Sequence, residues 1–431
     1  MRRAVALLFI ILFSLFISGC GERAASPEGG GKGGYSPDQP GDHQAEAVKH
    51  WDTPTRSSLA STNNDFGFRL FRELVKTTPD SNVVVSPLSV ALALGMTMNG
   101  ADGLTLDDMR TTLGYSGYSV DAVNRCFESL MTLLTHLDPE VRFEVANAVW
   151  CQEGVPFKEP FLDACEQFYR AEAGNLDFNR PDAPQVVNAW VSDKTHGKIT
   201  EIVDRFEPLT KICLVNAIYF LGAWREALDP ENTYDAPWML PDSTWRQVRM
   251  MVGPDSCNHY TSLAGPGFRA LDMAYGDSLF SMTLFVPSPG NTIRSMLEDF
   301  NQDNWAVWMS GFRPWCGHLT FPRFEVEYGV RMKHVLTTLG MGIIFDPVRA
   351  DFTRMCTYFD DFYIKKVMHK TYIRVDERGT EAAAVTEVEG GPTSIPPQFM
   401  IHSPFVFVIR ENTLNTVIFI GQITDPGYFT D

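Results

Sequence analysis

The chain has 431 residues, with 36 lysines and arginines against 53 aspartates and glutamates and a formal net charge of −17. Its hydrophobic fraction is 44% and its charged fraction 21%, which is ordinary for a globular protein and excludes wholesale disorder. The acidic balance argues against nucleic acid as a partner, since phosphate binding needs clustered Lys and Arg.

The first twenty residues form a separate unit that resembles a prokaryotic lipoprotein signal. Arg2 and Arg3 precede an almost continuously apolar run over residues 4–17, and two small residues then lead to Cys20. The run is shorter than the roughly 20 residues that span a bilayer. We therefore predict a signal peptide over residues 1–20 and a lipid on Cys20. The mature chain would be exported and anchored at the cell surface or in the periplasm. The alternative is a plain signal-anchor helix.

A tether follows this signal. Residues 21–42 contain seven Gly and three Pro without apolar periodicity, a composition typical of a flexible linker. We assign residues 21–58 to the tether. No second linker, internal repeat or low-complexity run occurs after it, so residues 59–431 are predicted to form one domain.

Seven cysteines remain besides Cys20, and no two of them have Cys-x-x-Cys spacing. Zinc and thioredoxin-type sites therefore have no support. The odd number leaves at least one thiol unpaired within a monomer. Several cysteines lie in apolar runs, as Cys213 does, which is typical of small buried side chains.

Apolar periodicity predicts helices mainly in the first half of the chain. Residues 64–76, 120–137 and 185–196 fit amphipathic helices. Ser86 as an N-cap and a proline in the first turn predict a buried helix over residues 88–98.

Strand patterns dominate the second half, and early helices followed by antiparallel-type strands indicate an α+β fold. The strands are predicted over residues 141–150, 212–220, 279–286, 318–327, 364–376, 405–410 and 416–424.

Motifs of catalysis are missing from the sequence. It contains no G-x-S-x-G, H-E-x-x-H, P-loop or G-x-G-x-x-G after a strand. The nine histidines show no metal-ligand spacing. We therefore predict no enzyme activity, no cofactor and no metal, and an enzyme with an unrecognised site ranks lowest among the hypotheses.

Residues 379–391 combine two incompatible signals. Their Ala and Glu content favours helix, yet alternate positions differ in character as they do in a strand. One parity is small and mostly apolar, and it consists of Thr380, Ala382, Ala384, Thr386 and Val388. The other parity carries Glu381, Glu387 and Glu389. The run then ends in loop composition at Gly390, Gly391 and Pro392. This pattern suits a segment that is a loop in one state and a strand in another. The alternatives are an ordinary exposed linker and a frayed Ala-rich helix.

The sequence resembles the serpin family from about residue 60 to 427. The resemblance is carried, in order, by Asn82 to Met98, Asn216 to Trp224 (NAIYFLGAW), Ala350-Asp351-Phe352, Glu377 to Ala384 (ERGTEAAA), Phe405 to Arg410 and Val417 to Gly421. It implies an α+β serpin fold with a large central mixed β-sheet, additional sheets, about eight to nine helices and an exposed reactive-centre loop.

The resemblance implies a suicide-substrate inhibitor of serine proteases. A protease attacks the exposed loop, and the cleaved loop then inserts into the main sheet and traps the acyl-enzyme. The hinge and inserting residues would be Glu377, Gly379, Thr380, Glu381, Ala382, Ala383, Ala384 and Thr386. As a strand, the fourteen residues from Thr380 to Thr393 would extend about 46 Å.

The family's hinge-to-bond spacing places the reactive bond between Thr393 and Ser394. A small uncharged residue on its N-terminal side predicts a target with a small S1 pocket, elastase-like or subtilisin-like. The rival bond is Glu389-Gly390, for a glutamate-specific protease.

Six further residues match family positions that support opening of the sheet. They are Ser86, Ser89, Asn216, Trp224, His369 and Arg323. Arg323 is a candidate partner for Glu377 across the hinge. The alternative for the others is helix capping or ordinary core polarity.

The partner predictions follow from the same resemblance. We expect a covalent complex with a target serine protease, membrane attachment through Cys20, no nucleic acid and a monomer. The region 104–113, where some serpins bind heparin, is acidic at Asp107 and Asp108, so no heparin-type activator is expected. The alternative function is a non-inhibitory serpin-fold binding or storage module.

Overall fold

The computed structural model describes residues 53–254, 257–356, 362–380 and 397–428. Its helices lie mainly in the first half of the chain, as predicted. They are α1 (Thr53–Thr77), α2 (Pro87–Gly100), α3 (Gly103–Leu113), α4 (Val120–Leu134), α5 (Glu159–Tyr169), α6 (Ala183–Lys194), α7 (Ile293–Leu297), α8 (Gln302–Gly311) and α9 (Lys333–Leu336).

The first described helix overlaps the predicted tether. Helix α1 begins at Thr53, inside the segment 21–58 that was assigned to a tether. The signal peptide, Cys20 and the rest of that tether lie outside the described residues. In the described part of the chain, no helix is long and apolar enough to span a bilayer.

Helix α2 runs through the core because it is apolar on all sides. Ser86 is its N-cap, and the Ser86 side chain accepts a hydrogen bond of 3.2 Å from the Ser89 backbone N–H. Pro87 occupies the first turn, where its missing N–H is not needed. This confirms the predicted cap and buried helix.

Seventeen strands occur among the described residues. They are β1 (Val83–Val85), β2 (Val141–Gln152), β3 (Ala171–Leu176), β4 (Ile212–Ala223), β5 (Tyr234–Met239), β6 (Trp245–Val252), β7 (Cys257–Gly265), β8 (Phe268–Tyr275), β9 (Phe280–Pro287), β10 (Arg313–Cys316), β11 (His318–Pro322), β12 (Phe324–Arg331), β13 (Met368–Val375), β14 (Gly379–Thr380), β15 (Gln398–Met400), β16 (Phe405–Glu411) and β17 (Val417–Ile423).

The strands form four hydrogen-bonded groups. A seven-stranded antiparallel sheet has the order β1-β17-β16-β9-β8-β7-β10, and a four-stranded sheet has the order β15-β11-β6-β5. A second four-stranded sheet, β14-β4-β2-β3, mixes one parallel pair with antiparallel pairs, and among the described strands β12 pairs with β13 alone. The predicted α+β class is confirmed.

Two predicted strands have different bounds in the structure. Residues 318–327 form two strands, because the chain crosses between sheets at Pro322 and Arg323. The Arg323 N–H bonds to Arg249 O in one sheet, whereas Phe324 pairs with Val375 in another. The strand predicted from residue 364 begins only at Met368. The first error arises because apolar alternation does not report which sheet a residue joins.

The cysteines follow the expectation of buried side chains in part. Cys151, Cys165 and Cys356 are buried and form no disulfide. Cys316 is disulfide-bonded, and its backbone lies opposite Cys257 in the ladder between β7 and β10. Burial raises the pKa of the Cys151 thiol to about 12, so this thiol is held protonated and inert at neutral pH.

Candidate functional site

Three of the predicted hinge residues are described, Glu377, Gly379 and Thr380, and they lie at one end of the β14-β4-β2-β3 sheet. Gly379 and Thr380 form a two-residue strand that pairs antiparallel with Ala223 and Gly222. A tight turn precedes it, in which the N–H groups of Asp376 and Gly379 each donate to the carbonyl of the other residue. The hinge therefore already carries two residues as a strand beside β4.

Gly379 is required by this geometry. Its φ is 142°, a region in which other residues are strained. A side chain at this position would also place Cβ 2.1 Å from the Gly222 carbonyl oxygen. Only glycine lets the chain turn and approach β4 so closely.

Thr380 is buried against the main core. Its exposed fraction is 2%, and its hydroxyl lies 2.7 Å from the Tyr275 hydroxyl. Tyr275 stacks on Trp224 with ring centroids 4.4 Å apart. Trp224 in turn donates from its indole N–H to Asp376 O and from its backbone N–H to Arg378 O, both at 2.9 Å. Trp224 therefore fixes the hinge turn through these two hydrogen bonds.

Glu377 and Arg323 form the ion pair that the sequence suggested. The Arg323 Nε donates to Glu377 Oε1 at 2.6 Å, and each side chain is only 3% exposed. The Thr233 hydroxyl donates to the same carboxylate oxygen, and the Glu377 carbonyl accepts from the Leu228 N–H. These contacts fix the N-terminal side of the hinge.

A groove separates β4 from β13, and we call it the interstrand groove. Among the described strands, β4 and β13 share no ladder. The upper part of the groove has a volume of about 370 Å³ and is lined on its two sides by Ile218 to Phe220 and by Tyr372 to Arg374, with Thr380 at its top. The lower part has a volume of about 660 Å³ and extends to residues 363–368.

Helix α6 and the segment that follows it cover this groove on one face. We call residues 195–211 the roof segment. Val187 and Val191 of α6, with Ile202 and Val203 of the roof segment, pack on Val215 of β4, and Met368 and Tyr372 of β13 pack against the same cluster. The roof segment thus contacts both sides of the groove.

The predicted polar cluster is contributed by β4, β13 and the start of α2, and the structure brings three of its four members together. The Ser86 N–H donates to His369 Nε2 at 3.1 Å, and Ser86 caps the turn of Ser89. Asn216 instead donates from Nδ2 to Asn147 Oδ1 at 2.7 Å. The amide oxygen of Asn216 itself, Oδ1, is buried and has no hydrogen-bond partner among the described residues.

Sequence reasoning missed two residues of this region. Asn147 links Asn216 to the Tyr169 carbonyl, and Thr371 donates to the Val84 carbonyl at 2.7 Å. Asn147 had a signal, because it is the one amide on the otherwise apolar parity of Val141 to Val149. Thr371 had none, since a threonine is ordinary in a strand.

His369 predicts a pH dependence of stability. Burial lowers the pKa of His369 from 6.5 to about 3, and its Nε2 accepts the Ser86 N–H only when neutral. Between these pH values the unfolded chain binds one proton more than the folded chain, so stability falls as the pH drops from about 6.5 towards 3. The slope is about 1.4 kcal/mol per pH unit. In His369→Gln this proton is no longer taken up on unfolding. Urea unfolding at several pH values should therefore give a dependence of stability on pH that is smaller by about 1.4 kcal/mol per pH unit. The same change at the exposed His136 is the control, and an unchanged slope in His369→Gln contradicts the prediction.

Several predicted site residues lie outside the described residues, so their positions are not described here. They are Glu381, Ala382, Ala383, Ala384, Thr386, Thr393 and Ser394.

The hinge, the groove and the sheets together define the class of protein. The protein has an α+β fold with a groove between two strands of its sheets and a hinge strand at one end of that groove. The family model for "Serpin (serine protease inhibitor)" matches residues 61–426. The chain therefore belongs to the serpin family, whose members include serine protease inhibitors and some proteins that do not inhibit.

Relatives support this at the level of sequence and structure. Serpin B6 of Macaca fascicularis is 31% identical over 378 residues, which are 85% of this chain and 99% of that protein. The leukocyte elastase inhibitor of Xenopus tropicalis is 29% identical over 382 residues, 86% of this chain and 100% of that protein. Human thyroxine-binding globulin complexed with thyroxine has a TM-score of 0.79 at 26% identity, covering 86% of this chain and 99% of that structure.

Proposed function

We propose that this chain inhibits extracellular serine proteases as a suicide substrate, by inserting its cleaved loop into the interstrand groove. One observation carries the proposal. Gly379 and Thr380 are already paired with β4 at the top of a groove whose two sides share no ladder. A strand that continues from Thr380 would lie along an edge of β4 that no other described strand pairs with.

The side chains of the segment fit this path. Extending the register of Thr380 opposite Gly222 sets Ala382 opposite Phe220 and Thr386 opposite Asn216. Small residues can enter beside Phe220 without displacing the core. The Thr386 hydroxyl would reach Asn216 Oδ1, the buried acceptor that has no hydrogen-bond partner among the described residues. Both charge and proline are absent from the core-facing parity between Thr380 and Gly390.

The covalent step follows ordinary acyl transfer. The serine oxygen of the protease forms an ester with the Thr393 carbonyl carbon, and the peptide bond to Ser394 breaks. The serine proton passes through the protease histidine to the new amine of Ser394. Insertion of residues 381–391 would then carry the attached protease away before water hydrolyses the ester.

The target class follows from the reactive bond. Thr393 is small and uncharged, whereas trypsin-like enzymes need a cation and chymotrypsin-like enzymes an aromatic ring at that position. We therefore expect an elastase-like or subtilisin-like target. Cleavage at Glu389-Gly390 remains the rival, and it would shorten the inserting strand by four residues.

The test is to mix the protein with pancreatic elastase or subtilisin and to analyse the products by SDS gel and mass spectrometry. We expect an SDS-stable adduct of the two proteins and release of a peptide that begins at Ser394. Protease inactivated beforehand at its serine is the control and should give neither. Cleaved chain without adduct contradicts the proposal.

A second candidate is a non-inhibitory serpin that binds a ligand. Its support is the structural similarity to thyroxine-binding globulin, a serpin-fold protein that is described in complex with thyroxine. The same gel separates the two candidates, because a non-inhibitory serpin is cleaved without forming the adduct.

We also propose that the mature chain is exported and held at the cell surface or in the periplasm by a lipid on Cys20. The support comes from residues 1–20 alone, which combine a charged start, a short apolar run and a single cysteine. The relatives named above are eukaryotic proteins and do not support a prokaryotic anchor. We further propose that it acts as a monomer without a polyanion activator, because α3 carries Asp107 and Asp108 with Arg110 as its one cation.

A further inference from the structure

The lower part of the interstrand groove is a cavity that described residues bound on three sides. The roof segment contributes residues between Ile202 and Lys211, β4 contributes Ile212 to Val215, and the chain before β13 contributes residues between Tyr363 and Met368. The volume of about 660 Å³ lies within the range of small-molecule sites, which is roughly 300–1,000 Å³. The hinge pairs with the opposite end of β4, so its contacts use none of these residues.

The interior of this cavity is apolar. Phe206 and Met368 line it from the roof segment and from β13, and Ile212 and Leu214 line it from β4. All four side chains are only half-buried, although each packs against a buried hydrophobic cluster. Their remaining apolar surface would be removed from water by an apolar occupant of the groove, which is favourable.

The strand topology places cations at one end of the cavity. Ala223, the last residue of β4, pairs with Gly379 of the hinge, and β13 likewise ends at Val375 beside the hinge turn. Lys211 and residues 365–366, which precede the two strands, therefore lie at the end of the groove away from the hinge.

The charge of this cavity is opposite to that of the whole chain. Its lining includes four basic residues and one acidic residue, which are Arg205, Lys211, Lys365, Lys366 and Glu207. The chain as a whole carries a formal net charge of −17. A local excess of positive charge beside apolar walls favours a ligand that has an anionic group and an apolar body.

Two of these cations suit a ligand better than Lys366 does. The Lys366 Nζ lies 2.7 Å from Asp204 Oδ1, and this contact lowers the pKa of the Asp204 carboxyl to about 2. Lys365 donates to the Pro208 carbonyl, a neutral group that does not balance its charge. Arg205 is exposed and directly follows Asp204 in the chain, so its backbone lies close to the Lys365–Lys366 pair.

We propose that the lower groove binds an unbranched fatty acid. Its alkyl chain would lie between β4 and β13 against Phe206, Leu214 and Met368, and its carboxylate would accept charge-assisted hydrogen bonds from Arg205 and Lys365. The roof segment packs on Val215 of β4 and so covers one face of the groove, which favours a single free chain over a lipid held in a bilayer. This inference concerns a ligand and does not depend on insertion of the loop.

The experiment is a titration of the protein with sodium laurate below its critical micelle concentration, followed by calorimetry and by tryptophan fluorescence. Trp150 lies opposite Cys213 of the cavity in the ladder between β2 and β4, and it packs against the cluster beneath α6. We expect saturable binding of one laurate per chain with a change in fluorescence. Dodecyltrimethylammonium has the same chain and a cationic head, and it should bind at least about tenfold more weakly.

Two variants test the head and the tail of the ligand separately. Arg205→Gln combined with Lys365→Gln removes both proposed carboxylate partners and should raise the Kd for laurate by about tenfold or more. Cys213→Phe fills the space for the chain without removing a cation and should also weaken binding. Lys198→Gln is the matched control, because Lys198 is a cation of the same roof segment but lines the upper part of the groove. It should leave the Kd unchanged.

Three outcomes overturn the inference. The first is the absence of saturable laurate binding to the wild type. The second is equal affinity for laurate and dodecyltrimethylammonium, which would show that the cations do not select the ligand. The third is an unchanged Kd in the Arg205→Gln, Lys365→Gln double variant, whose replaced side chains lie outside the buried core. This variant keeps the test decisive even if Cys213→Phe does not fold.

Discussion

Replacement of Thr380 by arginine is expected to turn the covalent complex with an elastase-type protease into cleaved, released inhibitor. Thr380 is 2% exposed and its hydroxyl lies 2.7 Å from that of Tyr275, so the position takes only a small side chain. Glu377, the buried carboxylate of the described part of the hinge, is already paired with Arg323. A guanidinium at residue 380 would therefore be buried without compensation, which costs several kcal/mol.

Because Thr380 already pairs with β4 before cleavage, arginine would displace the hinge from this site in the intact protein, and insertion would then have to bury the guanidinium again. A rise of only about 1.4 kcal/mol in the activation free energy of insertion lowers its rate tenfold, and hydrolysis of the ester then competes successfully. We expect the adduct to fall at least about tenfold on an SDS gel, with an equal gain of cleaved chain.

Two control variants make this test specific. Thr380→Ser keeps the hydroxyl and should trap protease as the wild type does. Arg378→Thr changes the charge at the exposed residue of the same turn and should also have little effect. If Thr380→Arg forms as much adduct as the wild type, entry of the hinge between the strands is not part of the mechanism.

Loss of the buried ion pair at the hinge is expected to be among the most destabilising single changes in the molecule. Glu377→Gln leaves the Arg323 guanidinium in a site that is 3% exposed without its counter-charge, and Arg323→Met does the reverse. Removal of one partner of such a pair costs about 3–5 kcal/mol. Urea unfolding of each variant would measure the change in the free energy of unfolding.

The double variant and an exposed pair serve as controls. Arg323→Met with Glu377→Gln should recover part of the loss, because neither charge is then buried alone. Asp121→Asn breaks the pair with Arg125 at 3.0 Å, whose side chains are 60% and 71% exposed, and should cost less than about 1 kcal/mol. If the Glu377–Arg323 and Asp121–Arg125 pairs lost equal free energies of unfolding, burial would not strengthen the hinge contact.

Together these contacts give the hinge one fixed end and one end that can extend. Glu377 is held by Arg323 and Thr233, and Trp224 holds the turn through Asp376 and Arg378. Beyond Thr380 the groove continues between β4 and β13. Insertion therefore needs no new nucleation, since the first two residue pairs with β4 exist before any cleavage.

The sequence by itself determined the features that depend on near neighbours. Ser86 and Pro87 marked the start of α2, because N-caps and first-turn prolines act within one helical turn. The alternation of small and acidic residues in 379–391 indicated a potential strand, because side chains on a strand repeat every two residues. The motifs around Asn216 and Glu377 sufficed to indicate the family and its fold.

The tertiary structure alone decided what depends on distant pairing. Arg323 and Glu377 were proposed as partners by resemblance, but only the fold buries both and adds Thr233 to them. Alternation could not show that residues 318–327 divide between two sheets, that Asn147 bonds Asn216, or that β4 and β13 remain apart. A local pattern records which side of a strand is buried, whereas the choice of neighbouring strand depends on the packing of the whole chain.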